Sequence, residues 1–235
     1  MGDGAVAASG VRVLGLHEWR EAAVTLAEAF AEDHTCEYFL NTPDTVHWTK
    51  EQKWEVHLSM MQYIVYAHLL SGLVVSAGPD YVCVALWMPP GKNMDDVATI
   101  LRSGMWRLNF QLSREGKKRF FTEFLPLLHD TKAQVLAERD DESWYLVYIG
   151  TKPSGRGKGY ARAVIDYVTS MADAEGRACY LESSHPVNRI IYGKLGFVFK
   201  KNIYLQRAHE HVELDIMVRE PTHEKAKAAL GLAKI

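Results

Sequence analysis

The densest chemistry in this chain lies in Lys152-Pro153-Ser154-Gly155-Arg156-Gly157-Lys158-Gly159-Tyr160-Ala161-Arg162. Its glycines let the backbone approach a ligand closely. Lys152, Arg156, Lys158 and Arg162 add positive charge with no acid among them, in a chain of formal net charge −2. A helix starting here would present unpaired N–H groups and a positive dipole end, a setting suited to phosphate. The common nucleotide motifs do not fit. Counted from Gly150, a P-loop fails because Arg156 follows Gly155, and Lys158 precedes Gly159 rather than Ser or Thr. The Gly-x-Gly-x-x-Gly fingerprint fails at Tyr160 or at Arg162, depending on the starting glycine. Taken alone, the loop also reads as a Gly-rich turn with basic residues for solubility.

The elements that must position this loop can be read from periodicity. Trp144-Tyr145-Leu146-Val147-Tyr148-Ile149 is apolar on both faces, as a central strand should be. After the loop, Ala161, Val164, Ile165, Val168, Met171 and Ala172 form one helical stripe, which Glu175-Gly176 ends. Cys179-Tyr180-Leu181 is a further strand. A short helix is expected over 187–195, starting near Pro186 and capped by Gly196. Residues 197–205 and 212–218 read as a closing pair of strands. Upstream, Val11 to Leu14 is a first strand. Helical spacing follows in Leu16, Trp19, Ala23, Leu26, Ala27 and Phe30, and again in Trp54, Leu58, Met61, Val65 and His68. Leu69 to Ser76 and Tyr81 to Met88 read as a hairpin around Ala77-Gly78-Pro79-Asp80. Residues 92–140 form a helical insertion broken near Ser113-Arg114-Glu115-Gly116, with Lys117-Lys118-Arg119 as a solvated charge run. The order is β-α-α-β-β-helices-β-α-β-α-β-β. That predicts an α/β (α+β) domain over 11–220, with a mixed sheet and helices on both faces. Residues 1–10 read as disordered, and 221–235 as a helical tail.

Composition bounds the function. At 235 residues, 48% of them hydrophobic, the chain is long enough to bury a core without metal or disulfide staples. The near-neutral charge gives no global basic field, so broad nucleic-acid binding is not expected. Cys36, Cys83 and Cys179 are too few and too far apart for a disulfide framework or a zinc cluster, which fits a reducing, cytoplasmic setting. His209 and His211 stand alone in a predicted turn, so no metal site is expected. The start lacks the pattern of a secretory signal, and Val6 fails the Ser/Thr position of a myristoylation signal. No apolar run approaches membrane-spanning length. Ala233-Lys234-Ile235 loosely echoes a peroxisomal address, and equally reads as a helix end.

The loop also carries a resemblance. Arg156-Gly157-Lys158-Gly159-Tyr160-Ala161 is similar to the Gln/Arg-x-x-Gly-x-Gly/Ala motif of the GCN5-related N-acetyltransferase (GNAT) family. Two features follow in family order. Leu181-Glu182-Ser183-Ser184 resembles the strand after the motif helix. Asn188, Tyr192 and Gly196-Phe197 resemble the family's Asn-x-x-x-Tyr-x-x-x-Gly-Phe. The specific match covers roughly residues 144–200. Ala29-Phe30-Ala31 and Leu181-Glu182-Ser183 more loosely resemble the puromycin N-acetyltransferase branch, and residues 40–140 are too dissimilar to transfer a substrate.

The resemblance implies a mostly antiparallel sheet of about six to seven strands, splayed where acetyl-CoA binds. The strand end Ile149-Gly150-Thr151 would pair with the pantetheine arm at a bulge. Amides of Arg156, Gly157, Lys158, Gly159, Tyr160 and Ala161 would hold the pyrophosphate. An amine would then attack the thioester directly, with an amide near Ile149 stabilising the oxyanion. Tyr192 would protonate the departing thiolate, and Asn188, one helical turn earlier, would orient the cofactor arm. Glu182 is the first candidate for the base that deprotonates the amine, with Glu32, Asp33 and His185 behind it. Of Tyr38, Phe39, Trp48, Trp54, Trp87 and Trp106, one or two could wall an acceptor pocket. The implied partner is a small-molecule amine, with the chain a monomer or homodimer. The alternatives are a non-catalytic acyl-CoA sensor and acetylation of a protein or peptide amine.

Overall fold

The computed structural model describes residues 10–222. Of the predicted helical tail over 221–235, Pro221 and Thr222 are described and are not helical; the rest of it, its last three residues included, and all but Gly10 of the predicted disordered start lie outside the described residues. Seven strands form one sheet: β1 (Val11–Val13), β2 (Leu73–Ala77), β3 (Cys83–Met88), β4 (Trp144–Thr151), β5 (Cys179–Ser183), β6 (Val198–Leu205) and β7 (Val212–Arg219). Their order is β1-β2-β3-β4-β5-β7-β6. Every neighbouring pair is antiparallel except β4 with β5. That parallel pair is joined by the helix α8 (Tyr160–Glu175), as a parallel crossover requires.

Strand alternation sends side chains to two faces. On one, Val75, Ala85, Trp87, Leu146, Leu181 and Met217 pack against Val164, Ile165, Val168 and Ala172 of α8. On the other, Val74, Val84 and Leu86 meet α1 (Trp19–Ala29) and α3 (Lys50–Ser71). Further along that second face, Tyr180, Ile216 and Val218 meet α2 (His34–Leu40) and the 114–136 helical segment. The expected mixed sheet with helices on both faces is therefore present.

Local chemistry sets the element ends. Thr49 Oγ1 accepts from the Gln52 amide at 3.2 Å, and Gln52 Oε1 accepts from the Thr49 amide at 2.9 Å. This capping box starts α3. Because α3 runs on to Ser71, the strand expected from Leu69 begins only at Leu73. Helix α2 was not legible in the sequence: its seven residues are too short to show a helical period. It is nucleated by Asp33, whose Oδ1 accepts from the Thr35 and Cys36 amides at 2.9 and 3.1 Å.

The helical insertion contains α4 (Val97–Ser103) and α5 (Leu108–Gln111), then breaks at Ser113. Ser113 caps α6 (Arg114–Lys117), which continues through a π-helical stretch, Lys118–Phe124, into α7 (Leu125–Leu136). Pro126 explains the wider turn. Proline has no N–H and its ring clashes with the carbonyl four residues back. The Leu125 amide accordingly bonds the Phe120 carbonyl, five residues back. The basic run at 117–119 departs from expectation. Arg119 is buried, donates to the Tyr38 carbonyl at 2.8 Å and stacks 4.6 Å from the Tyr38 ring. Those are acceptors that only the fold assembles.

Two packing contacts yield stability predictions. A Cβ at Gly150 would lie 2.7 Å from Ala29 Cβ and 2.9 Å from Leu26 Cδ2, so glycine lets α1 sit directly on β4. Gly150→Val should cost about 1–3 kcal/mol by overpacking, read as a lower urea midpoint at unchanged slope. Asp173 is fully buried and receives Arg219 Nη1 and Nη2 at 2.7 and 2.8 Å, tying α8 to β7. Asp173→Ala leaves the guanidinium without that partner and should cost roughly 3–5 kcal/mol in the same measurement.

Candidate active site

The site begins where two strands part. β4 and β5 pair only over Trp144–Leu146 against Cys179–Leu181. One residue further, Val147 is an extra residue in β4: Leu146 faces Trp87, and Tyr148 faces Leu86, with nothing opposite Val147. This bulge shifts the phase of the strand. The Trp144 amide points to β5, bonding the Ala178 carbonyl at 2.9 Å. Eight residues later the Lys152 amide points the other way, to the Val82 carbonyl at 2.8 Å. In an uninterrupted strand both would point to the same side. Alternation back from Lys152 directs the peptide groups of Ile149 and Thr151 away from β3 and into the gap beside β5. The bulge lies two residues upstream of the strand end expected to pair with a ligand, and it is what frees that end.

The loop after β4 is exposed and preorganised. Gly157 and Gly159 have φ of 75° and 81°, in the left-handed region that glycine enters without strain. A Cβ at either would meet open space, so conformation and not crowding favours glycine there. Gly159 caps α8 without a side-chain partner. Among the described residues, no acceptor meets the amides from Gly157 to Arg162; the first backbone bond of the helix is Ala163 N–H to the Gly159 carbonyl at 3.0 Å. None of Lys152, Arg156, Lys158 and Arg162 forms an ion pair among the described residues. Arg156 Nε reaches the Thr151 carbonyl at 3.4 Å. Such a run of free amides with surplus positive charge can hold an anion. Tyr160 and Ala161 instead pack against the α8-side core, and the Tyr160 ring lies against Gly78.

A cavity of about 610 Å³ opens from the strand gap towards the second face of the sheet. Ile149, Glu182, Asn188 and Tyr192 all line it. Tyr192 and Asn188 are four residues apart on α9 (Pro186–Gly193), on the face turned to the gap. Burial, with Cys83 nearby, raises the Tyr192 phenol well above its ordinary range, so it stays protonated. Its hydroxyl forms no hydrogen bond among the described residues and is free to donate. Thr151 turns its hydroxyl to Cys83 Sγ at 3.2 Å, leaving only its backbone for the gap.

Glu182 ends β5 beneath this gap. Its Oε2 accepts from the Tyr145 hydroxyl at 2.7 Å, while Oε1 is buried without a partner. Tyr180 stands beside the carboxylate without completing a hydrogen bond to it. Burial raises the Glu182 carboxyl to about 7, against the lowering effects of Tyr145 and Tyr180. A carboxyl poised near neutrality can take and release a proton. Of the other candidate bases, Asp33 lines the cavity, but its oxygens hold the α2 amides and the Ser184 hydroxyl, the latter at 2.5 Å. Glu32 is exposed and away from the lining. His185 is exposed and caps α9 through Nδ1, 3.2 Å from the Val187 amide. No metal-binding cluster occurs among the described residues.

The aromatic wall is not the expected one. None of Tyr38, Phe39, Trp48, Trp54, Trp87 and Trp106 lines the cavity. Tyr38, Phe39 and Trp87 are core residues. Phe30, Phe120, Phe121, Phe124, Tyr145 and Tyr148 form the wall instead. The two tyrosines were legible as strand residues but not as neighbours. A regular strand puts residues three apart on opposite faces. The Val147 bulge puts both on the cavity side, where Tyr148 meets Phe30 edge-on at 5.2 Å.

Comparison with known proteins follows the same lines. No family model matches the chain. It is 50% identical over 222 residues to an uncharacterised N-acetyltransferase of Schizosaccharomyces pombe, covering 91% of this chain and 87% of that one. Two solved structures share the fold. A histone acetyltransferase HPA2-related acetyltransferase from Corynebacterium glutamicum aligns with TM-score 0.56 and 20% identity, over 90% of this chain and 96% of that one. Arylalkylamine N-acetyltransferase 2 from Aedes aegypti aligns with TM-score 0.55 and 16% identity, over 90% and 98%. The level of identity to the first relative, together with a seven-stranded sheet that parts between β4 and β5, makes this chain a member of the GNAT family of N-acetyltransferases.

Proposed function

We propose that the chain moves an acetyl group from acetyl-CoA to the primary amine of a small molecule by direct attack on the thioester. One juxtaposition carries this reading. The strand edge freed at Ile149 lines a cavity that also holds Glu182 and Tyr192, and the loop with the free amides of Gly157–Arg162 follows that strand directly in the chain. The residues fit the cofactor. The loop amides and its unpaired cations suit a diphosphate. The edge peptide groups suit an extended amide-bearing arm, which would add as a short strand. Bound acetyl-CoA supplies an activated acetyl group on a thiolate leaving group.

The chain's own residues then have separate tasks. Glu182 takes a proton from the incoming ammonium, whose pKa of roughly 10 keeps it charged at neutral pH. A nitrogen–carbon bond forms as the carbon–sulfur bond breaks. The Ile149 N–H, directed into the gap, stabilises negative charge on the carbonyl oxygen. Tyr192 donates its phenolic proton to the sulfur and is restored by the second proton, which the nitrogen releases as the amide forms. Asn188, on the same helix face, orients the donor. No helix among the described residues is long and apolar enough to cross a membrane. The three buried free thiols support a reducing, cytoplasmic setting.

Three variants test the assignment. Gly159→Glu places a side chain at left-handed φ and a carboxylate among the loop amides. Acetyl-CoA binding, measured by calorimetry, should weaken by roughly tenfold or more; unchanged affinity would sink the loop assignment. Tyr192→Phe should lower kcat by roughly 10²-fold with cofactor affinity intact. Glu182 should give kcat/KM an ascending limb centred near pH 7, because only its deprotonated form accepts the amine's proton. Glu182→Gln should abolish that limb. The stability sign is opposite. The raised folded pKa means Glu182 favours the fold fully below its ordinary value of 4.5, and this contribution is lost as pH rises through about 7. At pH 8 the Gln variant should therefore be at least as resistant to urea as the parent, while being the less active enzyme.

A further inference from the structure

The lining of the cavity includes polar side chains whose buried atoms have no partner among the described residues. Glu182 Oε1, Thr35 Oγ1 and Ser183 Oγ line it, are buried, and have no partner among the described residues. Thr35 and Ser183 are only 7% and 5% exposed. Glu182 receives one hydrogen bond, from Tyr145, and Asp33 is occupied by α2 and Ser184. Of the three unpartnered atoms only the Glu182 oxygen, when ionised, is acceptor-only; the two hydroxyls can donate or accept, as can the unpartnered Tyr180 hydroxyl beside Glu182. A primary ammonium brings three donors and a positive charge, so it suits the free oxygen of the Glu182 carboxylate and can also donate to the neighbouring hydroxyls.

The rest of the lining sets what the ammonium can be attached to. Phe30, Met88, Met105, Phe121, Phe124 and Leu125 present aromatic, thioether and aliphatic surface. Methionine beside aromatic rings makes an adaptable apolar wall. The charge at the rim has one predominant sign: Asp95, Asp130 and Asp141 are exposed there. No arginine is among the lining residues, and Lys132 is held in an ion pair by Asp140. Lys92 alone offers an unpaired ammonium, and it is exposed. A carboxylate next to the reacting amine would thus face either apolar wall or like charge, and both are unfavourable.

We infer that the acceptor is a primary amine carried on an apolar, aryl-sized body with no carboxylate beside the amine: a decarboxylated aromatic amine rather than an amino acid. The inference rests on the acetyltransferase reading above. Its chemistry is the same transfer: the amine nitrogen bonds to the acetyl carbon as the thioester bond breaks, the first of the two protons lost from nitrogen goes to Glu182, the Tyr192 proton goes to sulfur, and the second nitrogen proton restores the Tyr192 phenol.

Matched pairs test it with the purified full chain and acetyl-CoA. Initial rates are measured on phenethylamine against phenylalanine and tryptamine against tryptophan, with propylamine and putrescine alongside. The amine of each pair should exceed its amino acid in kcat/KM by about 100-fold, and the aryl amines should exceed propylamine by about tenfold or more. Phe121→Ala should bring the phenethylamine-to-propylamine ratio towards one. Amino acids matching their amines, putrescine exceeding the aryl amines, or no amine acetylated while acetyl-CoA binds would each overturn the acceptor class and spare the cofactor assignment. Failure to bind acetyl-CoA would remove both.

Discussion

One extra residue in a central strand governs the arrangement of this site. Up to Leu146, β4 is a regular strand with a partner on each side. Val147 then adds a residue that β3 does not match. From there the strand turns its hydrogen-bonding groups through half a period. β5 leaves β4 at the same level and continues along β7 as far as Ser183. A sheet interior normally satisfies all its backbone groups. Here a few are left facing a gap from which a cavity opens. The opening is a consequence of register, so it needs no flexible loop to maintain it.

The same residue determines what surrounds the opening. By shifting the strand's phase, it turns Tyr148 to the face that Tyr145, upstream of it, already occupies, so both line the cavity. Tyr145 can then bond Glu182, and Tyr148 can pack on Phe30 of the segment following α1. Gly150, further along, lies against α1 at a distance that no side chain would allow. The helix is thereby seated on the strand whose edge is free. Glu182 is enclosed by tyrosines and apolar side chains, and that enclosure raises its pKa. A carboxylate fully solvated at a strand end would stay ionised near its ordinary value and be a weaker base at neutral pH.

The helical insertion closes the far side of the cavity. Pro126 forces a wide turn just before α7, and the π-helical stretch places Phe120, Phe121 and Phe124 on the wall. Phe120 and Phe124 also meet Phe39 edge-on in the core, so the wall is continuous with packed structure. Buried Arg119 pins the same stretch to the end of α2 through the Tyr38 carbonyl. The insertion is thus held at two points, one polar and one apolar. The far side of the cavity is thus built from elements outside the segment that carries the family resemblance.

Much of this was legible in the chain itself. The Gly-rich loop between an apolar strand and an amphipathic helix, the Asn188 and Tyr192 spacing, and Glu182 at the end of β5 all depend on residues close in sequence. Local spacing and backbone conformation are enough to specify such features. The bulge at Val147, the short helix α2, the burial of Arg119 and the aromatic wall were not legible. Helix α2 is too short to show a period, and the other three depend on what lies opposite a residue, far away along the chain. Strand register is a relation between two segments, and no single segment's pattern contains it. The sequence by itself determined which groups could bind and react; tertiary packing decided which way they face, because burial and partner choice exist only once distant elements meet.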